Sequence, residues 1–287
     1  MRFEKYCQPT TTSECVSLLK TYGSEARMVA GGTDLVPKLK SRAVRVKAVI
    51  GLEKIAEAKQ IIINEKGLEL GALVTLRTVS KSSEIKAKWP ALSEAAGHVS
   101  SDQIRNIATI GGNVCNASPS ADALQGLIVY DAIVNIVGEN GTRKVPIVEF
   151  FVGPGKTVLE GGEFVISFTV PTPKENSGAT YKKFALRGDT DISIVGVGSN
   201  IALDADGKVA SAIISFAAVA PTPIRSTEAE SLIMGKQLTD ELIDEAAELI
   251  GNNCSPITDH RATKEYRVEM IKVWAKNALK DALARTK

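Results

Sequence analysis

The sequence predicts a mixed α+β chain in two domains, and three features predict it. Short apolar runs pair across turn residues, segments of helical spacing lie between them, and from Pro171 to Gly178 the composition shifts to Pro, Ser, Asn and Gly. With 287 residues, 44% of them hydrophobic, the chain can bury one large core or two modest ones. Two is the better prior at this length, with the boundary at the Pro171 to Gly178 stretch.

Taken in order, Val16, Leu18 and Leu19 lie near one face of a helix that Gly23 would stop. Met28 to Ala30 then reads as a buried strand running into a glycine pair, which makes a small α/β unit. Ile61 to Ile63 and Leu68 to Leu70 flank Asn64-Glu65-Lys66-Gly67, a sequence suited to a four-residue hairpin turn. Ala132 to Val137 and Arg143 to Val145 repeat the pattern around Glu139-Asn140-Gly141. Beyond the boundary, strands over Ser193 to Leu203 and Lys208 to Val219 enclose the turn Asp204-Ala205-Asp206-Gly207. Thr239 is a suitable N-cap, and Leu242, Ile243, Ala246, Leu249 and Ile250 recur at helical spacing until Gly251. Tyr266, Met270, Val273 and Trp274 mark a last amphipathic helix whose stripe is expected in the core or at a subunit contact.

Composition removes several function classes. A net charge of +2 and 5% aromatic residues give neither a basic nucleic-acid surface nor a base-stacking platform. The basic stretch Lys38 to Lys47 is broken by apolar residues and reads as a solvated face. Met1 to Pro9 carries no signal-peptide core and no apolar run reaches spanning length, so the expected location is the cytoplasm, without a membrane span. Cys7, Cys15, Cys115 and Cys254 include no CxxC, against a zinc or iron–sulfur site held by this chain, and no metal is expected on it. His98 and His260 are too few for a histidine-rich metal site. Ser118 and Ser120 flank Pro119 without a G-x-S-x-G elbow, so serine nucleophily has no support.

The informative residues are two glycine loops. Ala30-Gly31-Gly32-Thr33-Asp34-Leu35 follows a strand, and paired glycines let backbone N–H groups turn toward a phosphate without Cβ obstruction. A turn with an Asx or Thr cap is the alternative. The spacing is neither GxGxxG nor the Walker pattern, so a different phosphate cradle is required. Thr109-Ile110-Gly111-Gly112-Asn113 offers a second strand-like lead-in, glycine pair and side-chain amide, and runs on to Asn116-Ala117-Ser118-Pro119-Ser120-Ala121-Asp122. Asp122 precedes the apolar segment Ala123 to Tyr130, either as its N-cap or as an acceptor for sugar hydroxyls.

With AGGTDL at 30–35, TIGGN at 109–113, ASPSAD at 117–122 and YKKFALRGDTDISIV at 181–195, the chain resembles the FAD-binding, medium subunits of the xanthine dehydrogenase and carbon monoxide dehydrogenase family of molybdenum hydroxylases. The resemblance implies a vanillyl-alcohol-oxidase-like FAD domain over 1–175, with subdomains of about 1–57 and 58–175, and a smaller α+β domain over 176–287 that covers the flavin. It implies that Met28, Val29, Ala30, Gly31, Gly32, Thr33, Asp34 and Leu35 wrap the FAD diphosphate and that Ala72 lines the cofactor. Thr109, Gly112, Asn113, Ser118 and Asp122 would complete the diphosphate and ribityl contacts, with Val165 or Ile166 at the adenine or flavin wall. Lys183 and Ile192 would approach the isoalloxazine, Lys183 offsetting negative charge on reduced flavin.

In that family a molybdopterin-binding large subunit hydroxylates the substrate and an iron–sulfur small subunit carries two two-iron, two-sulfur clusters. The resemblance therefore makes this chain the electron exit toward NAD(P) or another acceptor, in a heterotrimer or its dimer. The alternatives are a self-contained FAD oxidase or reductase, and a non-catalytic module whose glycine loops merely turn.

Overall fold

In the computed structural model, which describes residues 3–188 and 190–286, the strands form separate sheets, one parallel and the others antiparallel. Lys5–Cys7, Ala26–Val29 and Ala48–Gly51 make a small parallel sheet with Ala48–Gly51 in the centre. Parallel neighbours need a crossover, and the Thr12–Tyr22 helix supplies the first one. Thr11 caps that helix by accepting from the Glu14 N–H, and Gly23, at φ +49°, ends it where the sequence predicts. Cys15, Leu19, Ile50 and Ile55 fill the core beneath it, together with Leu73 and Phe164 from much later in the chain.

Both predicted hairpins of the first half form, inside one antiparallel sheet. Its order is Ile61–Asn64, Gly67–Gly71, Phe164–Pro171, Ile133–Gly138, Gly141–Pro146. Asn64 pairs with Gly67, so the first turn holds two residues rather than the predicted four. Gly67 has φ +133° and its missing Cβ leaves room for the Val170 carbonyl, so a tighter turn and a closer neighbour are both possible. Helices Leu76–Lys81, Pro90–Gly97 and Asp122–Ile128 cover one face of this sheet over a second core that includes Leu68, Leu70, Leu124 and Phe168. Trp89 is buried there, and its indole N–H donates to the Pro171 carbonyl at 2.8 Å.

After Pro171 the chain begins another strand at Ser177, and Ser177–Phe184, Val195–Leu203, Val209–Ala217 and Ile224–Arg225 form a second antiparallel sheet. Thr239 caps the Asp240–Asn252 helix as predicted, accepting from the Leu242 N–H at 3.3 Å, and the helix runs one residue past Gly251. The last helix, Lys264–Ala284, packs part of the predicted stripe, Met270 and Trp274, against the second-domain core, beside a more deeply buried face that the sequence reading did not name. Ile271, Ala275, Ala278, Leu279 and Ala282 are buried against the sheet, whereas Tyr266 and Val273 are exposed by 43% and 45%. Alanines let the helix axis approach the sheet more closely than the bulkier stripe would, and that favours their face.

Arg267 in this helix is buried and donates to the carbonyls of Ile194 at 2.6 Å and Ala218 at 3.3 Å. Its counter-ion is Asp259, at 3.0 Å. Burial raises the Asp259 carboxyl, but donors from the Arg261 and Ala262 N–H groups and from the Arg261 and Arg267 guanidiniums outweigh it and hold the group far below its ordinary range. A carboxyl depressed on folding stabilises above its unfolded pKa of about 3.9 and loses that contribution as pH falls toward the folded value. Asp259→Asn is accordingly expected to lower stability near neutral pH by roughly 1–3 kcal/mol. The deficit should shrink below about pH 4, and thermal melts of both proteins across that range measure it. A deficit unchanged by acid would disprove the charge-based account.

Among the described residues no helix is long and apolar enough to cross a membrane, and no group of His, Cys, Asp or Glu could hold a metal ion.

Candidate functional site

Both glycine loops open onto one cleft of about 840 Å³. The first loop leaves the Ala26–Val29 strand and enters the Leu35–Lys40 helix through Gly32 at φ +73°. Gly31 lies directly on the backbone of Ile107 and Ala108, where a Cβ would overlap the Ile107 carbonyl oxygen. The backbone N–H groups of Gly31, Gly32, Thr33 and Asp34 donate to no acceptor among the described residues. Successive unspent N–H groups in a glycine turn make a concavity suited to an anion.

The second loop has a different local structure from the predicted one. Its strand-like lead-in amounts to a single bridge between Thr75 and Thr109, and Thr109 is the N-cap of the short helix Ile110–Cys115. The Thr109 hydroxyl accepts from Gly112 N–H at 3.0 Å, Gly111 N–H donates to the Ala72 carbonyl at 2.8 Å, and Asn113 N–H donates to the Thr109 carbonyl at 3.0 Å. These donors are already spent, so they cannot form a second cradle. Gly111 is required for packing, since its Cβ would stand 2.6 Å from the Ala72 Cβ. What this loop offers the cleft is Asn113, whose buried side-chain oxygen has no partner among the described residues. Asn116 ties the two loops together, donating to Asp34 at 3.3 Å and accepting from Lys38 at 3.2 Å.

Met28 to Leu35, Ala72, Thr109, Gly112, Asn113 and Val165 all line the cleft. Ile166 does not: its side chain packs into the first core, and its carbonyl accepts from Ala72 N–H at 2.9 Å. Ser118 lies outside the lining and shares a hydrogen bond with Ser120 at 3.2 Å. Ile192 is 50% exposed. Of the motif at 181–195, Asp189 lies outside the described residues.

Asp122 is no N-cap, because that position belongs to Ala121; nor does Asp122 line the cleft. Its carboxylate is buried at the seam between the two halves of the chain. There it accepts from the Tyr181 and Ser193 hydroxyls at 2.5 Å each and from Lys183 Nζ at 2.9 Å. Burial first, and then the Asp122 charge, push the Tyr181 phenol well above its ordinary pKa, so it remains a donor. Lys183 also donates to the His98 carbonyl at 3.0 Å, beside Val99 and Ser100 of the cleft wall.

Sequence reasoning missed the wall formed by Lys38, Leu52, Ser100, Thr157, Leu159 and Phe164. The turn Gly153-Pro154-Gly155 is the one local signal that reveals part of it. That turn joins Phe151–Gly153 to Lys156–Thr157, and Gly155 N–H fastens it to the Ala117 carbonyl at 2.9 Å. Cys115 also lines the cleft, but burial pushes its thiol up to about 12, so it is protonated and not a nucleophile at neutral pH.

The cleft thus has an end whose Gly31 to Asp34 amides and Lys38 suit an anion, and an apolar body made of Leu52, Leu73, Leu76, Phe164 and Val165. Its volume lies within the ordinary range for small-molecule and cofactor sites. A dinucleotide with a central diphosphate and a flat aromatic ring fits that division, with the orphaned Asn113 oxygen as acceptor for one of its hydroxyls or ring N–H groups.

Comparison with known proteins agrees with this geometry. The family described as FAD binding domain in molybdopterin dehydrogenase matches residues 1–173, and the one described as CO dehydrogenase flavoprotein C-terminal domain matches 179–282. The chain is 34% identical over 284 residues to the xanthine dehydrogenase FAD-binding subunit of Escherichia coli O157:H7, covering 98% of this chain and 97% of that one. It is 32% identical to the carbon monoxide dehydrogenase medium chain of Hydrogenophaga pseudoflava, covering 99% and 98%. A solved structure of carbon monoxide dehydrogenase from that organism, lacking the Mo-pyranopterin moiety of the molybdenum cofactor, superposes with a TM-score of 0.96 at 32% identity. That superposition covers 100% of this chain and 99% of the other.

Proposed function

The chain belongs to the family of FAD-binding subunits of molybdenum-dependent dehydrogenases, and from that premise we propose that it is the electron exit of such an enzyme. It takes electrons from the iron–sulfur clusters of a small partner subunit, while a molybdopterin-binding large subunit oxidises the substrate, and it passes them to an external acceptor such as NAD(P). The assembly is a heterotrimer or its dimer, in the cytoplasm. Residues 1–175 hold the FAD, in subdomains of about 1–57 and 58–175, and 176–287 form the domain that closes over it.

The single observation that carries the cofactor assignment is the row of unspent amides from Gly31 to Asp34 at one end of an otherwise apolar cleft. Those amides and Lys38 would hold the diphosphate, and Asn113 would accept from the ligand. FAD, when bound, supplies a carrier that accepts electrons singly and releases them in pairs. The protein holds it apart from water, with Leu52, Leu73 and Phe164 forming the apolar wall. Lys183 and Asp122 form a buried ion pair at the seam, where Lys183 also holds the His98 carbonyl next to Val99 of the cleft lining, and Lys183 and the half-exposed Ile192 are the second-domain residues proposed to approach the flavin.

Two steps test this reading. The purified chain should retain FAD, and its flavin should stay oxidised with candidate hydroxylation substrates until the molybdenum and iron–sulfur subunits are added. Flavin reduced anaerobically by dithionite should then be reoxidised on adding NAD(P)⁺. Direct bleaching of the isolated chain by a small substrate would make it a self-contained flavoenzyme, and failure of NAD(P)⁺ where a ferredoxin or quinone succeeds would overturn the acceptor.

A further inference from the structure

A second cleft, of about 930 Å³, lies where the first-half helices meet the connection into the second domain, and it shares no lining residue with the glycine-loop cleft. Lys81, Lys86, Lys88 and Arg105 reach it from the helical layer, Lys174 from the interdomain connection, and Arg285 from the end of the last helix. The one carboxylate in the lining is Glu94.

Glu94 neutralises Arg285 alone among these cations. One oxygen accepts from Thr180 Oγ1 at 3.1 Å and Tyr181 N–H at 2.9 Å, and the other accepts from Arg285 at 2.7 Å. Arg105 is held by the carbonyls of Val99 and Ser100 and by Asp102. Among the described residues, Lys81, Lys86, Lys88 and Lys174 form no ion pair. Lysines in the last turn of Ser83–Lys88 suit the negative end of a helix. That accounts for Lys86 and Lys88 singly, but not for their sharing a concave wall with a lysine and an arginine from distant parts of the chain. Several unneutralised cations around one concave surface give it a positive potential, in a chain whose net charge is only +2.

We propose that this cleft is a second ligand site, for a small polyphosphate, either inorganic or carried by a nucleotide. Ammonium groups spaced around a cavity match a chain of phosphates better than a single carboxylate, because each phosphate presents charge in several directions. The volume accommodates a nucleoside triphosphate, and Pro90, Pro173 and Ala179 supply an apolar margin for a base. The site has a route to the flavin cleft: the Arg105 guanidinium that faces it also fixes the Val99 and Ser100 carbonyls, and both residues line the glycine-loop cleft.

Calorimetric titration of the full-length chain with tripolyphosphate and, separately, with ATP tests the site, in low salt and with excess FAD so that the glycine loops are occupied. The expected result is saturable binding that weakens steeply with added salt. In the Lys86→Gln/Lys174→Gln double variant, which alters two exposed side chains of the lining, binding should weaken by roughly tenfold or more. Lys208→Gln, an exposed lysine outside the cleft, should bind like the parent. Tighter binding of ATP than of tripolyphosphate makes the occupant a nucleotide, and the reverse makes it an inorganic anion. No saturable binding of either probe, equal loss in the Lys208 control, an unaffected double variant, or displacement of FAD during the titration would each overturn the proposal.

Discussion

Gly31→Ala is expected to abolish FAD retention while leaving the C-terminal domain folded. The added Cβ would overlap the Ile107 carbonyl oxygen and approach Ala108 Cα to 3.0 Å, and neither is the end of a flexible side chain that can swing away. Relief requires the Gly31 to Asp34 loop to move off the 107–108 backbone, which turns the unspent amides away from the place where a diphosphate would lie. Overpacking of this kind costs about 1–3 kcal/mol in the fold itself. The larger loss is of binding, since every amide of the cradle moves together. Gly112→Ala is the contrast: its Cβ would meet the Thr109 hydroxyl at 3.0 Å, and that group can rotate at the price of a cap. Flavin absorbance after gel filtration, with circular dichroism to confirm folding, measures both variants. Full flavin occupancy in Gly31→Ala would remove the first loop from the site.

Asp122→Ala is expected to give the largest fall in stability of any single substitution discussed, roughly 3–5 kcal/mol. The carboxylate is almost wholly buried and accepts from Tyr181, Ser193 and Lys183, all of which belong to the second half of the chain. Removing it takes an acceptor from two buried hydroxyls and a directly bonded counter-charge, though not every partner, from a buried ammonium at the same time. Because those contacts cross the seam between the halves, the expected signature is loss of docking. Thermal melts should show a lower and broader transition, and limited proteolysis should cut near 172–176, where the connection runs exposed. Asp122→Asn, which keeps an acceptor and loses the charge, should be milder. A melt within 1 kcal/mol of the parent for Asp122→Ala would mean that the seam is held mainly by its apolar contacts.

The sequence by itself determined the features whose causes lie within a few residues. Gly23 ends the first helix and Thr239 starts another because a positive φ and a capping hydroxyl act within one turn. The hairpins at Asn64–Gly67 and around Gly141 follow from turn residues set between apolar runs. The two glycine loops, the part of the cleft lining they supply and the family resemblance were legible for the same reason, since they reside in short contiguous motifs.

Only the tertiary structure decided which partners those motifs meet. Thr109 heads a helix rather than following a strand because Gly111 must lie on Ala72, far back in the chain. The last helix buries Ile271, Ala275, Ala278, Leu279 and Ala282 most deeply and seats Met270 and Trp274 at the edge of the same core, a ranking that a helical period alone does not give. Asp122 reads locally as a cap or a sugar ligand, yet its hydroxyl donors stand 59 and 71 residues away. The physical reason is common to all three. Periodicity, capping and turn geometry are set by neighbours along the chain, whereas the cost of burying a charge or the room for a Cβ depends on atoms that only the folded chain brings near.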